Sequence, residues 1–370
     1  MRADSVVPKQ PGREIPWPRA LFLVVVTGGL ALAVLAAPCV SGATTLHHAV
    51  GGHTAQPPSV FRLPAGSTLE EGQSLVSRNG KYMLDMQGDG NLVLYWEHQA
   101  IWQSHTRRDV PDSAIMQADG NFVVYVGQQA VWNSGSTQSD RGAYSLVVQN
   151  DGNMVIYTAA NKPIWESHTN VQPGLHYGDS GPAVLMLQER LSSLGYWLGP
   201  PNGVFGDSTQ QAVWALQKAA DLDRDGVVGP LTVEALAAGV VPTPRPAPGN
   251  LVEVDLSDDL LMVMQKGKLA YTLNTSTGGG YVYTDMGVTS VAITPRGVFH
   301  IFGSINGLDV DSLGALWRPR FFVYTGIAVH GDSYVPPYPV SHGCVRVSNE
   351  AIDWIWANNI MPIGEEVWVY

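Results

Sequence analysis

Charge and cysteine are both scarce in this chain. Only 14% of its 370 residues are Asp, Glu, Lys or Arg, against about 25% in ordinary soluble domains. What charge there is leans acidic, with a net −11 at pH 7. Arg2, Lys9, Arg13 and Arg19 outnumber Asp4 and Glu14 at the N-terminus, so all of the net acidity belongs to the remainder of the chain. An acidic body excludes nucleic acid and anionic lipid as the main partner, because both are held by clustered Lys and Arg. Two cysteines, Cys39 and Cys344, exclude a disulfide framework. His330, Asp332, His342 and Cys344 are the right residue types for zinc but lack a paired-ligand spacing. Asp221, Asp223, Asp225 and Gly226 imitate the start of a calcium loop, yet its twelfth position is Thr232 where a bidentate Glu is needed. They read as a polar loop between helices, and no metal or cofactor is expected.

Hydrophobic residues make up 45% of the chain, enough for packed cores, and its length suits two or three domains. Residues 21–37, LFLVVVTGGLALAVLAA, form an uncharged apolar run after a basic stretch and before small residues. That layout marks export, either by a cleaved secretory signal ending at Ala43 or by an uncleaved membrane anchor across residues 20–40. Pro38 before Cys39 is a poor setting for a lipid-modified start. Cleavage after Ala43 would leave Cys344 alone in an oxidising compartment where thiols normally pair, and an unpaired thiol there calls for a reason. Residues 1–43 are therefore read as signal or anchor and 44–60 as a linker.

Residues 61–169 carry a repeat: MQGDGNLVLY at 86–95, MQADGNFVVY at 116–125 and VQNDGNMVIY at 148–157, each followed by a Trp motif, IWQS, VWNS or IWES. Each Asp-Gly step reads as a hairpin tip and the alternating residues after it as a strand, so one supersecondary unit is used three times around a Trp-lined core. The pattern Gln-x-Asp-x-Asn-x-Val-x-Tyr resembles the sugar site of the bulb-type mannose-binding lectins. That resemblance implies an all-β prism with metal-free sites for mannose-like sugars at Gln87, Asp89, Asn91, Val93 and Tyr95, at Gln117, Asp119, Asn121, Val123 and Tyr125, and at Gln149, Asp151, Asn153, Val155 and Tyr157. A strand face of mixed donors and acceptors matches a fan of sugar hydroxyls. In the plainer reading, Asp-Gly-Asn shapes a turn and the tyrosine packs.

Residues 174–239 switch to a helical period. Pro182 opens a helix with Val184, Leu187, Leu191 and Leu194 on one face, closed by Gly195; a second starts near Ser208 and a third runs from Pro230 to Gly239. GDSGPAVLMLQERLSSLGY, GVFGDSTQQAVWALQ and DGVVGPLTVEAL resemble the three-helix peptidoglycan-binding module. VVPTPRPAPGN, residues 240–250, reads as a stiff spacer.

Residues 251–370 are strand-dominated, with one amphipathic helix at NEAIDWIWANNI. They place His330 at a strand end, then Pro336, Pro337 and Pro339, then Ser341-His342-Gly343-Cys344. A thiol nucleophile needs a nearby imidazole and donors for the oxyanion. A His-Gly on a strand followed by SHGCVRVSN is similar to the catalytic signature of the L,D-transpeptidases, which implies Cys344 as nucleophile, His330 as base and the Gly331 carbonyl as its orienting group. Ser341, His342, Gly343 and Arg346 would line the substrate site, with Arg346 a partner for a stem carboxylate. Only ten positions separate Gly331 from Ser341, which makes the substrate loop short. The expected chain is thus multidomain: a lectin β-prism, a small three-helix bundle and a mainly β transpeptidase domain. The expected partners are peptidoglycan stem peptides and glycan. An L,D-carboxypeptidase, or a secreted lectin with a remnant catalytic domain, stays open as an alternative.

Overall fold

The computed structural model describes residues 61–107 and 112–370. The apolar run at 21–37, with the signal or anchor reading and Cys39, lies outside the described residues. Among the described residues no helix is long and apolar enough to cross a membrane.

The three repeats build three four-stranded antiparallel sheets. Each copy supplies three strands, such as Tyr82–Met86, Leu92–Trp96 and Gln99–Gln103 in the first. The fourth strand of every sheet comes from the 15 residues ahead of the repeats. Ser74–Val76 pairs with the first copy, Thr68–Glu70 with the second and Arg62–Pro64 with the third. The inward face of each sheet is apolar, with Leu84, Leu94, Val124, Leu146 and Ile156 fully buried. Trp102, Trp132 and Trp165 meet edge to face at 5.3 and 6.3 Å, one from each copy, a geometry aromatic pairs favour.

Three helices come next: α1 (Pro182–Ser193), α2 (Asp207–Ala219) and α3 (Pro230–Ala238). Proline at the start of α1 and α3 costs no helical hydrogen bond, because the first amides have no partner anyway. The loops after α1 and α2 are held in the same way. Gln188 accepts from the amides of Asn202 and Gly203 and donates to the Val204 carbonyl and Thr209. Gln217 accepts from the Gly226 amide and donates to Asp225, the Val227 carbonyl and Thr232. Both glutamines are buried with their hydrogen bonds made, as buried polar groups must be. The Asp221–Gly226 loop is one of these two turns, with Asp225 accepting from the Gln217 side chain and the Val227 amide inside it.

The C-terminal domain has two five-stranded sheets. One runs Lys268–Asn274, Leu260–Gln265, Leu251–Asp255, Glu366–Val369 and Gly297–His300 in spatial order. The other contains Gly314–Val323, Ile327–Asp332 and Val345–Ser348, with Leu308–Asp311 and Gly303–Ser304 both on its long strand. Helix α4 (Asn349–Ala357) starts with the Ser348 hydroxyl accepting from the Ala351 amide and buries Ile352 and Ile355. Those side chains join Val252, Val254, Leu261, Val329, Val345 and Val347 in one core, each contributing about 1.5–3 kcal/mol by leaving water.

The proline-rich segment 240–250 does not hold the helical module away from this domain. The two dock directly. Trp197, on the loop after α1, lies in the C-terminal core, tilted over Trp354 at 5.5 Å. The Trp197 amide donates to the Thr272 carbonyl, and the Thr272 amide to Gly195. Lys218 of α2 is fully buried, its Nζ donating to the carbonyls of Asp259 (2.7 Å) and Thr275 (2.9 Å) and lying 3.6 Å from the Asp259 carboxylate. The segment that reads as a spacer in composition is itself pinned to both sides: the Tyr196 hydroxyl donates to the Val240 carbonyl, the Arg245 amide donates to Glu253, and the Arg245 guanidinium lies 3.5 Å over the Tyr370 ring.

Candidate active site

Strands Ile327–Asp332 and Val345–Ser348 run parallel, pairing Val329 with Val345, His330 with Arg346 and Gly331 with Val347. Val329, Val345 and Val347 point into the core. Side chains alternate along a strand, so His330, Cys344 and Arg346 stand together on the opposite face. Cys344 is level with Ala328, whose amide donates to Sγ at 3.4 Å, while Sγ sits 3.8 Å from the Gly326 carbonyl.

His330 is buried, and its Nδ1 lies 2.9 Å from the Gly331 carbonyl. A carbonyl only accepts, so Nδ1 carries the proton and the Nε2 lone pair is free. Glycine is required at 331 for a steric reason. A Cβ there would meet Ile352 at 2.6 Å and the Asn349 Oδ1 at 2.7 Å, and α4 could not close on the strand that orients the imidazole. Gly343 is needed too. Its φ of +143° is one that other residues rarely adopt, and its Cβ would fall 2.8 Å from the Ile293 carbonyl.

The remaining loop residues divide into two kinds. Ser341 is 1% exposed; its hydroxyl donates to the Cys344 carbonyl and accepts from the Gly343 amide. It therefore shapes the turn and has no face left for substrate. The same bond commits the Gly343 amide, which leaves the Cys344 amide as the nearby backbone donor for an oxyanion. His342 meets the rings of Tyr281 and Tyr283 at 5.5 and 4.7 Å. Arg346 lies 3.2 Å from Asp332, so a substrate carboxylate would have to share a guanidinium already neutralised. Sequence reasoning weighed Asp332 only as a zinc-type residue and not as the partner of Arg346, and it missed Tyr281, Tyr283 and Thr294, whose hydroxyl donates to the Gly343 carbonyl at 2.8 Å. The run TGGGYVY held the only signal, a glycine cluster followed by aromatics.

Burial sets the protonation of the pair. It pushes the Cys344 thiol up to about 11, against the weaker opposing pull of the Ala328 amide. It also draws His330 below its ordinary value, against the Gly331 carbonyl. At neutral pH both groups are uncharged, and the thiolate forms only as its proton passes to an acceptor. Alkylation of Cys344 by iodoacetamide is therefore expected to be slow at pH 7.5 and to climb until about pH 11, followed by intact mass across the pH range. A preformed thiolate–imidazolium pair would give a plateau already at neutral pH.

The three repeat sites are built alike and sit apart from the thiol. Gln87, Gln117 and Gln149 each donate to the hydroxyl of Tyr95, Tyr125 or Tyr157 at 2.6–2.7 Å. Asp89, Asp119 and Asp151 each accept from the amide of the asparagine two residues on. Val93, Val123 and Val155 are each 3% exposed. The copies differ in what else engages them. Asn91 donates to Gln103 and Asp89 pairs with Arg107, while Gln103 and His105 reach Glu234 of α3. Asn153 donates to Glu166. In the second copy neither the Asn121 amide nitrogen nor Asp119 Oδ2 has such a partner among the described residues.

Residues 249–369 match the family described as the L,D-transpeptidase catalytic domain, and 180–236 match a putative peptidoglycan binding domain. The crystal structure of an L,D-transpeptidase from Xylanimonas cellulosilytica is 48% identical, covers 54% of this chain and 98% of that one, and has a TM-score of 0.52. A monomeric mannose-binding lectin from Gastrodia elata is 42% identical over 29% of this chain and 94% of its own, with a TM-score of 0.27; at that score the likeness adds nothing to the geometry of the repeats. A probable N-acetylmuramoyl-L-alanine amidase from Bacillus licheniformis is 34% identical over 124 residues, and this chain spans about a third of its length (34%).

Proposed function

The chain belongs to the L,D-transpeptidase family, and from that membership we propose that it is an exported enzyme that cross-links peptidoglycan stems through a thioester on Cys344. The observation that carries this reading is the face shared by Cys344 and His330, with Nδ1 of the imidazole pinned by the Gly331 carbonyl. Cys344 Sγ attacks the carbonyl of the third stem residue while His330 Nε2 takes the thiol proton. The Cys344 amide stabilises the oxyanion. Collapse expels the terminal D-alanine, whose amine takes the proton back from His330. The amine of a second stem then attacks the thioester, gives its proton to His330, and leaves as the amide as the thiol is restored.

The helical module and the repeats would hold the enzyme at the wall, making each further encounter intramolecular. For the repeats, support comes from the Gln–Tyr pair kept in all three copies, and the second copy has the most polar capacity open to a sugar.

The test uses purified chain with a tetrapeptide stem, with and without an acceptor amine, analysed by mass spectrometry. The expected products are a Cys344 adduct lacking D-alanine and, with acceptor, a dimer joined between third residues. A tripeptide as sole product despite saturating acceptor would reassign the chain as a carboxypeptidase. Absence of any adduct would overturn the thioester mechanism.

A further inference from the structure

The loop between His330 and Cys344 forms one wall of a cleft of about 650 Å3 whose other wall is the helical module. That volume is within the range of about 300–1,000 Å3 usual for small-ligand sites. Both walls are fixed. Gln211 of α2 donates to the Val335 carbonyl at 3.0 Å, Arg224 to the Pro337 carbonyl at 3.1 Å, and Asn274 to Gln211 at 2.6 Å. With Lys218 and Trp197 buried behind them, the cleft is a built feature of the fold and not a gap between loosely joined domains.

Four aromatic side chains line it: Tyr177, Trp214, Tyr334 and Tyr338. The three tyrosines are each more than half exposed. The hydroxyls of Tyr334 and Tyr338 share a hydrogen bond at 3.2 Å, which ties the two side chains together at their tips. Tyr177 shares the helical-module wall with Asp207. The buried indole N–H of Trp214 has no partner among the described residues. Gln210 and Glu350 add polar groups to the lining. Flat apolar faces alternating with donors and acceptors match a pyranose, whose C–H face lies on a ring while its hydroxyls and acetamido group take hydrogen bonds. A greasy ligand would leave the polar groups unpaired, and a polyanion would meet Asp207, Asp332 and Glu350.

We propose that this cleft is an amino-sugar subsite that grips the N-acetylated disaccharide of the glycan strand whose stem is delivered to Cys344. The inference rests on the transpeptidase reading and gives it a substrate preference: the enzyme takes stems still attached to glycan. The cleft reaches Asp332, two residues beyond His330 and paired with Arg346, so sugar and scissile carbonyl are set out along one loop. Helical module and catalytic domain thus read one piece of wall together, each supplying half of the grip.

The test has two arms. In the first, the N-acetylglucosaminyl-N-acetylmuramic acid disaccharide, without stem, is titrated calorimetrically into the full chain and into Tyr177→Ala and Tyr334→Ala, with methyl mannoside present to fill the repeats. Each substitution is expected to weaken binding about tenfold with an unchanged melting temperature. In the second arm, Cys344 acylation by disaccharide-tetrapeptide is compared with acylation by free tetrapeptide. The sugar is expected to lower KM about tenfold in the parent and hardly at all in the variants. No binding by the parent, or equal binding by parent and both variants, overturns the subsite. Sugar binding lost in the variants while neither substrate acylates Cys344 would support the subsite and sink the transpeptidase reading on its own.

Discussion

Cys344→Ala is expected to abolish acyl-enzyme formation and cross-linking, a fall in kcat of about 10^4-fold or more, the order seen when a covalent nucleophile is removed. The folded chain should hardly notice. The Cys344 side chain is only half-buried, and its close polar contacts among the described residues are the Ala328 amide and the Gly326 carbonyl. The turn around it is held by Ser341 and Thr294 instead. Cys344→Ser is the sharper control, since a hydroxyl keeps the shape while His330, drawn down by burial, is a poor base for so weak an acid. Kinetics with disaccharide-tetrapeptide, followed by release of D-alanine, would check both variants. Turnover by Cys344→Ala within tenfold of the parent would remove the thiol from the mechanism.

Lys218→Met is expected to destabilise the chain by about 3–5 kcal/mol, the usual cost of removing one member of a buried ion pair. Lys218 lies in a site that resists both charges. Burial lowers the lysine to about 8 although Asp259 pulls the other way, and burial raises Asp259 although Lys218 opposes it. The two carbonyls at 2.7 and 2.9 Å hold the ammonium more closely than the carboxylate at 3.6 Å does. In the variant those carbonyls lose their donor and the Asp259 carboxylate loses its neighbouring cation. The pH dependence has a definite sign. Between about 8 and the ordinary lysine value of 10.5, the folded parent has released the proton and the unfolded chain has not, so its stability rises with pH. The methionine variant lacks this component, and the difference in unfolding free energy should widen across that window. Denaturant titrations at pH 7 and pH 9.5 would check both claims; equal stability of the two proteins at pH 7 would mean that the interface does not depend on Lys218.

Local signals made much of this legible in the sequence. Asp-Gly tips, a proline opening and a glycine ending a helix, and a His-Gly near a Ser-His-Gly-Cys are short-range patterns, and each fixed an element or a candidate group. What escaped was long-range. Lys218 reads as an ordinary polar position on α2, because only docking on Asp259 and Thr275 buries it. Gln188 and Gln217 look like surface helix residues until the adjoining loops fold over them. Ser341 looked like a substrate ligand because sequence adjacency to Cys344 does not say which way its hydroxyl turns. Residues 62–76 carry a six-residue period of their own, Leu63, Leu69 and Leu75 with Gly66 and Gly72 between, but strands of three residues with distant partners gave no hint that they complete three different sheets.

Those 15 residues bear on the order in which the chain can mature. Within the repeat domain Arg62–Pro64 is the first strand to leave the ribosome, yet its partner Ser145–Val148 emerges some 80 positions later. Until the third repeat is through, that edge of the first-made segment has nothing to pair with, and closing so long a loop is slow as well as entropically costly. The repeat domain therefore cannot ratchet itself shut from its leading end, and it stays open to proteases or holding chaperones until its last sheet is delivered.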